Sequence, residues 1–296
     1  MKTATKIWLI AAAALVVIGA AVCAYAVSAD GLPAAEYETD TVEVTESFRG
    51  VSVRCDTEDI ALLPSEDGKC RAVFAVPEQT AHSVTVQDGT LTVGTTDTGK
   101  WYEHFTLFPF GSPKLMLYLP QGEYDSLSVT ASTADVAIPQ DFTFENAEIS
   151  VSTGDVDFSA AVPGRLCIGT STGDIRIGHV TAGTLELSVS TGGTTLTDVR
   201  CKELSSRGST GDLIMQDVTA AGTIKVERST GDVRLERCDA AALEIATDTG
   251  DVTGSLLSEK VFFAQSDTGD VHVPETATGG TCKITTDTGD ILITVQ

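Results

Sequence analysis

Ser229-Thr230-Gly231-Asp232-Val233-Arg234-Leu235 is one copy of a phrase that the chain states nine times. The phrase is Ser/Asp-Thr-Gly-Asp followed by alternating apolar residues. It first appears as Ser132-Thr133-Ala134-Asp135 and last as Asp287-Thr288-Gly289-Asp290, with successive copies 19 or 20 residues apart. A fixed period in this range marks a solenoid, because one short unit cannot bury its apolar face alone and gains a core only by stacking on its neighbours.

The residues around each glycine say how a unit is built. Leu185, Leu187 and Val189 precede one corner, and Leu196 and Val199 follow it; around Gly231 the same places hold Ile224, Val226, Val233, Leu235 and Cys238. Alternation with period two on both sides of a turn predicts two strands with one buried face. The Thr-Gly-Asp corner has turn chemistry: glycine reaches positive φ, and the Asp and Thr side chains bond nearby backbone groups, here expected within their own turn. A second corner is expected at Thr181-Ala182-Gly183-Thr184 and at Ala220-Ala221-Gly222-Thr223. Each copy is thus one coil of a parallel β-helix, and nine coils at about 4.8 Å make a rod of roughly 43 Å. Three positions break the pattern. Gly193 replaces a corner Asp, and Gly208 and Gly254 stand where an inward apolar side chain is expected, which thins the core or leaves a binding dent.

Outward from the repeats, the chain divides into five parts. Residues 1–6 carry Lys2 and Lys6, and residues 7–27 carry no charge. Twenty-one uncharged residues suit a membrane span. The preceding lysines place residues 1–6 in the cytoplasm and the rest outside, as a single-pass signal-anchor of the cell membrane. A small-residue cleavage site at Val27-Ser28-Ala29 gives the alternative, secretion after cleavage near Ala29. Residues 28–47 are a linker whose second half could form a first strand. Residues 48–126 form a strand-rich N-terminal cap section, and residues 127–296 are the solenoid.

In the cap section, Val51-Ser52-Val53, Arg71-Ala72-Val73-Phe74, Ser83-Val84-Thr85-Val86 and Thr90-Leu91-Thr92-Val93 read as strands. Glu66-Asp67-Gly68-Lys69 and Gln87-Asp88-Gly89-Thr90 read as hairpin turns. Thr57-Glu58-Asp59-Ile60 is a degenerate copy of the repeat corner, so the section is expected to run continuously into the coils. Trp101, Tyr102, His104, Phe105, Phe108 and Phe110 form an aromatic patch that either covers the open end of the core or offers a ligand surface. Lys114-Leu115-Met116-Leu117-Tyr118-Leu119 is a buried strand that Pro120 ends. The last copy closes on Ile291-Leu292-Ile293-Thr294-Val295-Gln296 with no capping segment, which predicts self-association through an uncapped C-terminal coil.

Six of the seven cysteines lie outside the span. Cys55 and Cys70 flank a hairpin-like segment and are a candidate disulfide in an oxidising setting. Cys238 and Cys282 occupy inward positions as small apolar residues. No Cys-x-x-Cys occurs and the four His are scattered, so zinc has no support.

Charge narrows the function classes. Without Lys2 and Lys6, 17 Lys/Arg face 42 Asp/Glu, a net charge of −25, which argues against nucleic acid and anionic lipid as partners. The corner aspartates Asp155, Asp174, Asp212, Asp232, Asp251, Asp270 and Asp290, preceded by Asp135, would stack near 5 Å apart and repel one another by about 1 kcal/mol in water. Backbone N–H groups could offset this, or a rail of weakly held calcium ions could. Acidic residues also suggest a β-helical carbohydrate-active enzyme. Here, however, they recur at corners, where turn geometry needs them, and no nucleophile elbow or phosphate loop appears. No cofactor other than calcium is indicated.

Taken together, the signal-anchor, Asp59-Ile60-Ala61-Leu62-Leu63-Pro64-Ser65-Glu66-Asp67-Gly68-Lys69, Asp88-Gly89-Thr90-Leu91-Thr92-Val93, Leu117-Tyr118-Leu119-Pro120 and the serial Ser-Thr-Gly-Asp coils resemble the bacterial putative-adhesin family of β-strand-repeat proteins, a domain of unknown function at the cell envelope. The resemblance covers roughly residues 42–296. It brings no catalytic residues and implies a non-enzymatic envelope interaction or sensing role, with a surface protein or glycan as partner. The motif is more specific to fold than to function.

Overall fold

The computed structural model describes residues 37–77, 80–97 and 114–296. The expected span at residues 7–27, the cleavage site at Ala29 and the aromatic patch from Trp101 to Phe110 lie outside them. The described residues contain strands and no helix, and so no helix among them is long and apolar enough to cross a membrane.

The N-terminal section holds β1 (Tyr37–Val44), β2 (Gly50–Cys55), β3 (Asp59–Pro64), β4 (Cys70–Pro77), β5 (Thr80–Gln87), β6 (Thr90–Asp97) and β7 (Lys114–Leu119). The coils follow as β8 (Gly122–Thr133), β9 (Val136–Ile138), β10 (Phe142–Thr153), β11 (Val156–Phe158), β12 (Val162–Thr172), β13 (Ile175–Gly178), β14 (Ala182–Thr191), β15 (Thr194–Cys201) and β16 (Glu203–Thr210). The last part holds β17 (Leu213–Thr230), β18 (Val233–Thr249), β19 (Val252–Leu256), β20 (Lys260–Thr268), β21 (Val271–His272), β22 (Gly280–Thr288) and β23 (Ile291–Val295).

Coil stacks on coil in parallel from β8–β9 to β18–β19, as the repeat predicts, with one-residue register shifts between Val162 and Arg165 and between Ala220 and Thr223. One inward column shows why. Leu91, Val51, Leu127, Ala147, Leu166, Leu185, Leu204, Ile224, Leu243 and Cys282 are successive partners across the sheet, and all are buried. Each large member gains roughly 2 kcal/mol by leaving water. A coil has one more bend than the sequence reading found. His179, Asp198, Asp217 and Arg237, each six residues after a corner glycine, adopt left-handed φ of 50–59° and turn the chain before the buried Val180, Val199, Val218 and Cys238.

At both ends of the stack, spatial order departs from chain order. At the N-terminal end, β6 and β7 lie under β2 and β3, so β2–β3 is sandwiched between β6–β7 and β8–β9. The turn at Asp67-Gly68 does follow β3, but β3 and β4 are not hairpin partners: β7 pairs with both, parallel to β3 and antiparallel to β4. The Asp88-Gly89 hairpin forms as expected, with φ of 51° and 73°. The linker's second half is strand β1, antiparallel to β4.

At the other end, β22–β23 inserts between β18–β19 and β20–β21. The expectation of an uncapped C-terminal coil is therefore corrected: the last coil in sequence is covered on its outer side, and the terminal layer is β20–β21.

The corners explain their glycines. Gly231 sits at φ 142°, and a Cβ there would lie 2.2 Å from the carbonyl oxygen of Gly211 in the preceding coil. No other residue fits so close an approach of two backbones.

Candidate functional site

The corner aspartates line one edge of the stack, and their geometry differs from the expected self-contained turn. Each corner carboxylate except that of Asp270, which lies in the terminal layer, accepts a hydrogen bond from the corner N–H of the next coil. Asp135 accepts from Asp155 N at 2.8 Å, Asp155 from Asp174 N at 2.8 Å and Asp174 from Gly193 N at 2.8 Å. Asp212 accepts from Asp232 N and Asp232 from Asp251 N, both at 2.9 Å. Asp251 accepts from Asp290 N at 2.7 Å, and Asp290 from Asp270 N at 2.8 Å. Even the degenerate corner takes part, since Asp59 accepts from Asp135 N at 3.1 Å. The aspartates are axial staples. The one missing rung is at Gly193, which offers Asp212 no carboxylate.

The staples also account for close-packed negative charge. Arg176 bridges two rungs, donating to Oδ2 of Asp155 at 2.9 Å and to Oδ2 of Asp174 at 2.8 Å. The Asp174 N–H, and after it Arg176, hold the Asp155 carboxyl below the usual range. Among the described residues, no three His, Cys, Asp or Glu side chains converge as a metal ion would require. Asp155, Asp174, Asp212, Asp232, Asp251, Asp270 and Asp290 stand one per coil along this edge.

The candidate disulfide is not formed. Cys55 and Cys70 are free and buried. The reason is topological. Cys55 ends β2 beside Ala131 of β8 and near Thr95, whereas Cys70 begins β4 opposite Val44 and near Tyr124. Ala131 and Tyr124 stand seven residues apart on β8, on opposite sides of the bend before Leu127. Burial pushes both thiols up to about 12. Cys238 and Cys282 are buried inward residues, as expected.

A polar cluster inside the core escaped the sequence reading. Arg228 is 4% exposed, in a column whose neighbours are Val151, Thr170, Val189, Gly208, Thr247 and Thr286. Its Nη2 donates to Ser206 Oγ at 2.9 Å and to Thr194 Oγ1 at 3.2 Å. Both hydroxyls are buried where adjacent coils carry apolar residues: Leu187 and Val226 flank Ser206, and Ile175 and Leu213 flank Thr194. Gly208 makes the room, since a Cβ there would lie 1.9 Å from Nη1 of Arg228. The guanidinium has no carboxylate partner among the described residues, and its buried Nε has no acceptor. Gly254, the other expected gap, is instead a close approach, with its α-carbon against the Leu235 carbonyl. Comparing the repeats column by column, rather than corner by corner, would have exposed Thr194, Ser206, Gly208 and Arg228 as one set.

Comparison with solved structures supports the architecture. A putative adhesin from Parabacteroides merdae is similar over 88% of this chain and 96% of its own, at 15% identity and a TM-score of 0.53. A putative adhesin from Parabacteroides distasonis matches over 87% and 98%, at 13% identity and a TM-score of 0.53. A putative lipid binding protein from the same species matches over 87% and 97%, at 13% identity and a TM-score of 0.54. At such identities the likeness concerns fold alone. A comparison with curated proteins finds no match. The family model described as Toastrack DUF4097 matches residues 48–293, spanning the N-terminal layers, the stapled coils and the inserted last coil, and the chain belongs to that family.

Proposed function

We propose that this protein is a non-enzymatic binding module of the cell envelope. Residues 7–27 hold it in the cell membrane as a single pass, residues 1–6 remain in the cytoplasm, and the coils project outside to engage a surface protein or glycan. The observation that carries the reading is the aspartate staple. The corner carboxylates that could have suggested paired acid and base groups instead accept coil-to-coil backbone hydrogen bonds from Asp135 through Asp251 and at Asp290, so the acidic edge is a product of the architecture. The uncharged run of residues 7–27 behind Lys2 and Lys6 supports the topology. The similar putative adhesins support a surface role by fold.

The test is protease treatment of intact cells expressing the full chain with a cytoplasmic N-terminal tag. The reading predicts that the solenoid's antigenicity is lost from outside while a membrane-bound tagged fragment survives. A full-length chain protected in intact cells, or recovered in the cytosolic fraction, would overturn it. Processing near Ala29 would replace the anchor with secretion.

A further inference from the structure

We propose that the terminal layer β20–β21 binds a second copy of this chain, end to end about a two-fold axis, with Phe263 on the axis. The proposal rests on the envelope reading above and names its partner: the same protein on a facing surface. The two ends of the stack differ. At the N-terminal end β5 pairs with β6 and β4 with β7, and Leu91, Val93, Leu115 and Leu117 of the end layer are buried. At the other end, among the described residues, β20 pairs with β22 alone and β21 with β23 alone. The core is open there as well. Phe262 and Ala264 stand over the buried Cys282 and Ile284 but are only part-buried, and Val271, over the buried Ile291, is 39% exposed. On the outer face Phe263 is 60% exposed. Residues 273–279 are tied to the start of β20, where Thr276 donates to the Lys260 carbonyl and Thr278 to Glu259, and they leave Phe263, Gln265 and Asp267 exposed.

An open strand edge templates further pairing, and the chain's own segments are too short to cover this one. Layers β6–β7 and β20–β21 are ten spacings apart, about 48 Å. Residues 28–36 span at most about 31 Å, and residues 98–113, tied at both ends to β6 and β7, reach out at most about 27 Å. Strand β20 is instead complementary to itself. Antiparallel pairing about Phe263 sets Val261 against Gln265 of the second copy, Phe262 against Ala264, and Phe263 against its own counterpart. Opposed residues on antiparallel strands point to the same face. Phe262 and Ala264 therefore meet large against small across the joined core, and the two Phe263 rings form an aromatic pair outside it. Moving the axis to Ala264 would set Phe262 against Ser266 and Val261 against Asp267, and would bury less apolar surface. Such a contact is isologous and closes as a dimer. Strand β1 enters at the opposite end of the stack, so with residues 7–27 in the membrane the two anchors of the dimer point apart, into facing membranes.

The experiment is sedimentation equilibrium of the full chain in detergent micelles, with salt varied from about 0.05 to 0.5 M. A reversible monomer–dimer equilibrium is expected. Two chains of net charge −23 repel one another, so it is expected to tighten as salt screens them. Phe263→Asp changes an exposed side chain and is expected to keep the wild-type melting temperature while weakening the dimer about tenfold or more. Phe263→Cys is expected to give a covalent dimer on mild oxidation, joined at that position in a peptide map. Asp157→Cys, exposed on the side of the coils, is expected to stay unlinked. Vesicles carrying the wild type are expected to aggregate, and those carrying Phe263→Asp to stay dispersed. A wild type that is monomeric at every salt concentration, or a Phe263→Asp chain that dimerises like wild type, would overturn the proposal and leave the edge to a strand of another protein. Dimers without vesicle aggregation would overturn the facing arrangement. The protease test separates these failures from failure of the envelope reading: a chain released near Ala29 still dimerises through β20, whereas an anchored chain that stays monomeric refutes the dimer alone.

Discussion

The backbone N–H of Asp290 donates to Oδ1 of Asp251 at 2.7 Å, across 39 positions of sequence. The corner that lies between them in the chain, at Asp270, is displaced to the outside, where its own N–H donates to Asp290 at 2.8 Å. The last coil is thus clamped from both sides. The loops that allow this are held by polar contacts: Lys260, 3% exposed, donates to Asp239 Oδ1 at 2.5 Å and also to Ser258 Oγ, and Thr278 donates to Glu259 at 2.7 Å.

That order is directly testable by cross-linking. Glu244 and Lys283 are register partners on neighbouring strands, whereas Phe263 lies one strand further out, about 9.6 Å from Glu244. Oxidation of the Glu244→Cys/Lys283→Cys variant is expected to give an intramolecular disulfide, and that of Glu244→Cys/Phe263→Cys to give none. The reverse pattern would restore sequential stacking.

The staple makes a stability prediction with two signs. Asp232→Ala removes the acceptor of Asp251 N and is expected to cost about 1 kcal/mol, while Asp232→Asn, which keeps an oxygen acceptor, costs less. Gly193→Asp restores the missing rung. A Cβ at Gly193 meets nothing nearer than 3.6 Å and its φ is ordinary, so the variant is expected to melt higher than wild type by a few degrees. Denaturant unfolding of the three variants measures both signs.

The folded carboxyls set the acid limit. The ordinary Asp value is 3.8; Asp155 is held below it chiefly by the Asp174 N–H, and Asp239 by Lys260 and Ser258, which outweigh its burial. A folded value below the unfolded one contributes stability that is present above the unfolded value and lost as pH falls through the folded one. Melting temperature is therefore expected to stay level from neutral pH to about 5 and to fall below about 4, as calorimetry across pH would show.

Thiol chemistry separates the cysteines. Burial pushes Cys55, Cys70 and Cys282 up to about 12, and Cys201 and Cys238 up to about 11, so thiolate is scarce at pH 8. Of the cysteines in the coils, the half-buried Cys167 is expected to alkylate first in the native protein. Cys55 and Cys70 are expected to react only in denaturant, each as a separate free thiol. A peptide map that joins Cys55 to Cys70 would contradict the structure.

Much of this was legible in the sequence because a repeat reports the same physics many times. The corner glycines, the inward columns and the continuation of the solenoid through Thr57-Glu58-Asp59-Ile60 all followed from spacing. The order of coils at the ends did not. The copies ending in Gly250, Gly269 and Gly289 have nearly the same corner, so pattern alone does not say which stacks on which, and adjacency in sequence favoured the wrong order. The bend at His179, Asp198, Asp217 and Arg237 was hidden because no glycine marks it. The direction of the Asp hydrogen bonds was hidden because a turn of this composition satisfies a self-contained reading equally well. The Arg228 cluster was hidden because its members come from different coils, up to 34 residues apart, and each alone passes as a tolerated substitution.

Calcium titration of the full chain, followed by heat release and melting temperature at physiological ionic strength, tests the central claim most directly: that the corner aspartates join coils rather than hold ions. The account predicts no saturable heat and no rise in melting temperature beyond that given by magnesium. A saturable calcium signal with a large rise in melting temperature, abolished by Asp232→Asn and Asp251→Asn, would contradict it and make the acidic edge a cation site.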